Sequence, residues 1–257
     1  MCETQFYNKL LENKNAIITG SNRGIGKAIL TEMAACGANV WAHARRESPE
    51  FITECEELSK KYGVSIQPII FDITDTKSMK ESIKNIIKNK LKIDILVNNI
   101  GMVGSVNTFA MTSIEEMKEV FDVNFFAQME LTQYVSRVMS RYKSGSIINI
   151  SACAGMDGNT GMLQYVSSKA AMIGATKRLA IELGEQGIRV NSIAPGLTET
   201  DMSGLMSEEL TEKTLSHLVI KRKAHPLEIA KSVVFLASDM SSYITGQVIR
   251  VDGGMLN

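Results

Sequence analysis

Tyr165 and Lys169 stand four residues apart in a stretch that reads as a helix, so their side chains share one face, a single turn from each other. Where such a face opens on a cleft, the ammonium stabilises the phenolate and draws its pKa toward neutrality, making an acid/base pair. The spacing alone is common among ordinary helices. What distinguishes this pair is its flank. Ser146–Ile150 reads as an apolar strand, breaks at Ser151-Ala-Cys-Ala-Gly155, and restarts as the Tyr165 helix, extending to about Gly184.

A second constellation is Gly20-Ser-Asn-Arg-Gly24-Ile-Gly26, between a buried strand at 15–19 and a helical pattern running through Cys36. The glycines permit a tight turn and close backbone approach, and the free N–H groups at the helix start face an anion. A dinucleotide pyrophosphate is expected there, held by Gly20, Asn22, Arg23, Gly24, Ile25 and Gly26. The spacing differs from G-x-G-x-x-G, so the first turn should be wider. The second strand, Asn39–Ala44, ends at Arg45-Arg46, where an NAD site wants an acid for the ribose 2′-hydroxyl. Arg45 and Arg23, helped by Arg46, instead offer guanidinium groups to a 2′-phosphate, so the expected cofactor is NADP(H). Asp72 can accept from the adenine amino group with Ile73 beside the ring; Asp72-Ile-Thr-Asp75 is equally a capping sequence. The fourth strand, Ile93–Val97, runs into Asn98-Asn99-Ile100-Gly101, whose amides can tie strands together and line the cofactor floor. Gly101 leaves room for the nicotinamide ribose. Pro195 and Gly196 bend the chain over the nicotinamide, and Thr198, Thr200 and Asp201 supply donors and a carboxylate.

The elements that must position these groups alternate throughout. Helices are expected at Pro49–Tyr62, Thr76–Asn89, Ser113–Tyr142 (one long helix) and Pro226–Ala237, and further strands at Ser65–Phe71, Gly187–Ile193 and Gln247–Val251. About seven strands alternating with helices predict α/β architecture: a single-domain Rossmann-type doubly wound parallel sheet over 1–257, helices on both faces. Asn124 interrupts an apolar helix face, so its amide must be hydrogen-bonded, to the strand-four loop or to an internal water chain. Residues 202–225 form the expected substrate lid. Ala170, Ala171, Gly174 and Ala175 favour close packing against another helix, as in a homo-oligomer. Lys+Arg and Asp+Glu balance at 28 each, which leaves no electrostatic footprint for nucleic acid. The sequence has no uninterrupted apolar run of spanning length, and its four cysteines form no close pair, with three histidines in the chain. No membrane span, disulfide framework or metal site is expected, which suits a cytoplasmic protein.

Taken in order, Thr19-Gly-x-x-x-Gly-Ile-Gly26, Asp72, Asn98-Asn99-x-Gly101, Asn124, Tyr165-x-x-x-Lys169, Asn191-x-x-Ala-Pro-Gly196, Thr245-Gly246 and Val251-Asp-Gly-Gly254 resemble the short-chain dehydrogenase/reductase family over nearly the whole chain. Pro195-Gly-x-x-Glu-Thr-Asp-Met202 and Phe235-Leu-Ala-Ser-Asp239 make it most similar to the 3-oxoacyl-[acyl-carrier-protein] reductases of that family. The resemblance implies a tetramer transferring hydride between NADPH and a carbonyl, on a small-molecule or acyl-carrier-linked substrate such as a 3-oxoacyl thioester. A sugar or polyol derivative is the alternative. It also implies that Tyr165 is the general acid, that Lys169 lowers its pKa and holds the nicotinamide ribose, and that Asn124 anchors a water-mediated proton relay.

Three positions depart from the family. The serine usually found thirteen residues before the tyrosine is Ala152, with Ser151 beside it. Either Ser151 reaches the site through a local bulge, or a reshaped site manages without it, or the chain binds NADP(H) with little or no catalysis. Ile100 replaces the family's usual alanine. Of the two basic positions that flank the entrance for a carrier protein, Lys143 fills one and Gln186 the other; Lys221-Arg-Lys223 is a possible compensation or a solvated surface.

Overall fold

Short apolar strands, buried along almost their whole length, build the frame. The computed structural model describes residues 9–255, apart from 89–91, 159–160, 202 and 206. Its strands are β1 (Asn15–Ile18), β2 (Asn39–Ala44), β3 (Ile66–Ile70), β4 (Ile95–Asn98), β5 (Gly145–Ile150), β6 (Ile188–Pro195) and β7 (Val248–Val251). They form one seven-stranded sheet in the order β3-β2-β1-β4-β5-β6-β7, parallel throughout. Successive residues face opposite layers: Ala16, Ile18, Ile95 and Val97 join one apolar cluster, Ile17 and Leu96 the other.

Each layer is completed by helices. On the first side α1 (Gly24–Ala35), α2 (Pro49–Tyr62) and α9 (Pro226–Ala237) contribute Ile29, Met33, Phe51, Ile229 and Val233. On the second, α3 (Thr76–Lys88), α5 (Ala127–Tyr142) and α7 (Leu163–Gly184) contribute Met79, Ile83, Leu131, Val135 and Ala180. Burying each of these side chains larger than alanine stabilises the fold by roughly 1.5–3 kcal/mol. Shorter helices are α4 (Ile114–Phe121), α6 (Ala154–Asp157) and α8 (Glu208–Ser216). Among the described residues, no helix is long and apolar enough to cross a membrane.

Most expected elements form, with ends displaced by one or two residues. The long helix expected over 113–142 is the exception. It divides into α4 and α5 around a π-helical turn, Asp122–Phe126, that carries Asn124. A π turn widens the helix by one residue and displaces carbonyls from the regular ladder, and it lets the Asn124 amide meet the backbone of a neighbouring loop. Asn89, Met202 and the last two residues of the tail lie outside the described residues.

The chain reverses its winding between β1 and β4, so the crevice of the sheet opens above their carboxyl ends. His43, on β2, ties that region together. Its Nδ1 accepts the Gly20 N–H at 3.2 Å, its Nε2 donates to the Phe71 carbonyl at 2.9 Å, and its ring lies 4.2 Å from that of Phe71. A carbonyl can only accept, so the proton sits on Nε2. With 1% of its surface exposed, burial lowers its pKa from 6.5 to about 4 against the opposing pull of the Phe71 carbonyl. The unfolded chain thus binds more protons than the folded chain within that window, and stability present above pH 6.5 is lost as pH falls toward 4. Each tenfold change in proton affinity is worth about 1.4 kcal/mol, so the contribution amounts to roughly 3 kcal/mol. Urea denaturation at pH 7 and pH 4 should therefore show a smaller acid-induced loss in His43→Asn than in the wild type. Equal losses would mean that His43 stays neutral for no energetic reason.

Candidate active site

All the residues expected to hold a dinucleotide line one cleft of about 1940 Å³, shared with Ser151, Ala152 and Cys153. Small-molecule sites enclose roughly 300–1,000 Å³, so a dinucleotide and a second molecule fit together. One end of the cleft is the β1–α1 turn, where the phosphates are expected. Gly20 and Gly24 have φ of 64° and 54°, a region that favours glycine. At Gly26 a Cβ would fall 1.9 Å from the Gly20 carbonyl oxygen and 2.5 Å from Asn99 Nδ2, so no side chain fits. Helix α1 starts at Gly24 with no acidic residue in its first turn, leaving its dipole free for an anion.

The adjacent amides after β4 divide two tasks. Asn99 Nδ2 donates to the Thr19 and Gly20 carbonyls at 2.9 and 3.1 Å, holding the turn that forms the cleft floor. Asn98 Nδ2 reaches Asn149 Oδ1 and Thr132 Oγ1, each at 2.9 Å, tying β4 to β5 and α5. Arg45 and Arg46 are exposed at the end of β2. Asp72 closes a turn by accepting from the Thr74 N–H and hydroxyl at 2.9 and 2.7 Å. Those bonds, with the Arg45 charge, hold its carboxyl below the usual range. Arg23 pairs with Asp201 across the cleft at 3.6 Å, both side chains well exposed. Such a contact contributes little in water and releases the guanidinium readily to a stronger anion.

At the other end, α7 presents Tyr165 and Lys169 to the same cleft. Lys169 is 3% exposed; its Nζ donates to the Ile150 carbonyl at 2.8 Å and lies 5.9 Å from the Tyr165 ring centroid. Burial lowers the lysine pKa to about 8, and burial aided by Cys153 raises that of the tyrosine to about 12. Desolvation dominates both groups, disfavouring the phenolate and the ammonium alike. Asn124, fully buried, accepts the Met102 N–H and donates to the Met102 carbonyl, both at 2.8 Å, and donates to Ser168 Oγ at 2.9 Å. Of the two alternatives for this amide, the link to the strand-four loop is therefore present. Ser168 in turn donates to the Tyr165 carbonyl at 2.8 Å, joining Asn124 to the tyrosine helix. Sequence reasoning missed Ser168, although its place three residues after Tyr165, on the same helix face, was the available signal.

Ala152 is buried beside the cleft. Ser151 does not reach past it through a bulge. The β5–β6 register runs unbroken to Ile150↔Ile193, and the Ser151 hydroxyl donates to the Ile193 carbonyl at 3.0 Å while accepting from Ser192 at 2.8 Å. Cys153 donates its thiol to the Ala194 carbonyl at 3.0 Å, and burial with the Asp252 charge raises its pKa to about 12, so it remains an unreactive thiol. Arg250 clamps this wall, gripping Asp157 through both terminal nitrogens and Asp252 through Nε, all at 2.7 Å. Gly155 brings α6 against α7: a Cβ there would lie 2.9 Å from the Ala170 nitrogen.

One further expectation is corrected. Lys143 and Gln186 precede β5 and β6, at the amino-terminal edge of the sheet, so neither flanks the entrance of its own chain's cleft. Arg222, in the basic run, makes an exposed bidentate pair with Glu228 at 2.7 Å, in keeping with the reading of that run as solvated surface. Thr198 is buried, with its hydroxyl donated to the Gly196 carbonyl at 3.1 Å. The tail reaches the cleft: Val219 and Ile220 donate to Gly254 and Gly253, and Met255 lines the mouth.

The family described as Enoyl-(Acyl carrier protein) reductase matches residues 20–256. The 3-oxoacyl-[acyl-carrier-protein] reductase of Aquifex aeolicus is 38% identical over 95% of this chain and 98% of its own. That of Thermotoga maritima is also 38% identical, over 96% of this chain and 99% of its own. Among solved structures, the 3-oxoacyl-[acyl-carrier protein] reductase of Brucella melitensis superposes with a TM-score of 0.88 at 30% identity, covering 98% of this chain and 95% of that one. A putative NAD(P) dependent gluconate 5-dehydrogenase of Beutenbergia cavernae, with bound NADP, gives 0.89 at 30% identity, covering 96% and 98%. With its parallel sheet, glycine turn and Tyr165–Lys169 helix, the chain belongs to the short-chain dehydrogenase/reductase family of oxidoreductases.

Proposed function

We propose that the protein is an NADPH-dependent carbonyl reductase and that its substrates are 3-oxoacyl thioesters, free or carried on an acyl-carrier protein. The observation that carries the proposal is the convergence of Tyr165, Lys169 and the Asn99-held glycine turn on one cleft. Arg45, Arg46 and Arg23, with no acid at the end of β2, support a 2′-phosphate and hence NADP(H). Met102, Val103, Met162, Leu197, Leu210 and Met255 line the cleft and suit an acyl chain better than a polyol.

When bound, NADPH supplies the hydride. Tyr165, protonated at neutral pH, donates its phenolic proton to the substrate oxygen. Lys169, with a pKa of about 8, is charged at pH 7 and stabilises the phenolate left behind. Its ammonium is also placed to hold the nicotinamide ribose: a Cβ at Gly101 would lie 3.2 Å from Nζ, so the glycine keeps that side open. Asn124 fixes the loop carrying Gly101 and anchors the proton relay that resupplies Tyr165. Helix α8 buries none of its residues, while Ala224 pairs with Leu197 and Glu199 at the base of the excursion, an arrangement suited to a substrate lid. The exposed Ala170, Gly174 and Ile181 on α7 support assembly into a homo-oligomer, proposed as a tetramer. The gluconate dehydrogenase neighbours favour a second reading, a keto-sugar substrate at the same site.

NADPH oxidation with an acetoacetyl thioester and a panel of keto sugars tests the proposal. Tyr165→Phe should lower kcat by about 10²–10⁴ with NADPH affinity little changed; undiminished turnover would remove Tyr165 as the acid. Ala152→Ser should raise kcat tenfold or more, since one carbonyl-directed donor contributes on the order of 10²–10³. If it has no effect, other groups already polarise the carbonyl, and tight NADPH binding with no turnover of any carbonyl would favour a non-catalytic subunit. Arg45→Ala should weaken NADPH about 10–100-fold and leave NADH unaffected, the magnitude of one charge-assisted contact of roughly 1.5–3 kcal/mol; parallel losses for both cofactors would place the 2′-phosphate elsewhere.

A further inference from the structure

Gln128 lies one turn beyond Asn124 and is fully buried. Its Nε2 donates to the carbonyl oxygens of Asn124 at 2.8 Å, Ile100 at 3.0 Å and Val123 at 3.1 Å. Its Oε1 meets no protein donor among the described residues. Turning the carboxamide over would set Oε1 against those carbonyl oxygens, so the contacts define its orientation. The side chain is thus held through its donors. Its neighbours on the same helix face, Asn124, Leu131 and Thr132, are all buried, and an amide shut off from water costs free energy that only its hydrogen bonds offset.

The acceptors explain the amide. Val123 and Asn124 belong to the π turn, whose carbonyls are displaced from the regular ladder. Ile100 belongs to the loop after β4, immediately before Gly101. Asn124 grips that same loop at Met102. Gly101, which faces Lys169, is therefore clamped on both sides: Gln128 holds Ile100 and Asn124 holds Met102. The two clamps are coupled, because Gln128 also holds the Asn124 backbone.

We propose that Gln128 is a positioning residue for carbonyl reduction, touching neither substrate nor cofactor and acting through Ile100 and Asn124 to set the loop at Gly101 against Lys169. This rests on the reductase reading, so the test includes a readout independent of turnover. Gln128→Met keeps the volume and removes the donors. It should stay folded, lose about 10–100-fold in kcat with the KM for NADPH changed by less than about threefold, and lose hydrogen-exchange protection about tenfold over residues 98–104 and 120–128 while β1 and α9 are unaffected. Gln128→Glu is isosteric. Protonated, it donates one O–H to the carbonyls; ionised, it is repelled by them, and burial raises its pKa. Its kcat should approach wild type near pH 6 and fall as pH rises, along a limb separate from that of Lys169 near pH 8. Wild-type kcat in both variants at every pH, or unchanged exchange in Gln128→Met, would overturn the clamp. A wild type that reduces no carbonyl would instead refute the reductase reading, leaving the exchange pattern to decide the clamp.

Discussion

The Lys169 ammonium is buried with the Ile150 carbonyl as its hydrogen-bond acceptor among the described residues, and the surrounding structure is shaped by that constraint. A buried cation without a carboxylate is expensive, and the site tolerates it because the carboxyl end of β5 aims a backbone carbonyl at it. The position of β5 is in turn set by its neighbours. Asn98 and Asn149 lock β4 to β5, and Asn149 donates to Thr176 on the lysine's own helix at 2.8 Å. Gly155 lets α6 press against the backbone of α7 at Lys169. Strand, amide ladder and glycine contact thus converge on one charged group.

A second theme is the use of fully buried amides where apolar residues would pack as well. Asn98, Asn124, Gln128 and Asn149 are all excluded from solvent. Each sits where a strand end, a loop and a helix meet, and each makes hydrogen bonds with defined partners. Directional hydrogen bonds of this kind select one arrangement of the surrounding backbone, whereas apolar contacts tolerate small displacements. That selectivity matters most at the loop around Gly101 if it carries reacting groups, because a shift of 1 Å between them can cost about 10²-fold in rate.

Ala152 stands apart from this order. The wall around it is rigid: Ser151 is tied into β6, Cys153 into the β6 end, and Asp157 into the Arg250 grip. The loss of a hydroxyl at 152 is therefore not relieved by a neighbour moving in. Under the proposed reaction, the carbonyl would be oriented by the shape of the cleft and by Tyr165 itself.

The sheet, its glycine turn and the Tyr165–Lys169 face are all legible in the amino-acid order. Each rests on local rules: two-residue alternation in strands, four-residue spacing in helices, and the backbone freedom of Gly20 and Gly24. The departure at Ala152 is legible too, as a count of residues back from the tyrosine. Other features depend on contacts between segments far apart in sequence. The direction of the Ser151 hydroxyl follows from the β5–β6 register, and the distance of Lys143 and Gln186 from the mouth follows from which end of the sheet they precede. The π turn at Asn124 exists to meet Met102, twenty-two residues away. The Tyr165 pKa also depends on desolvation, a property of everything packed around the ring, which four-residue spacing does not encode.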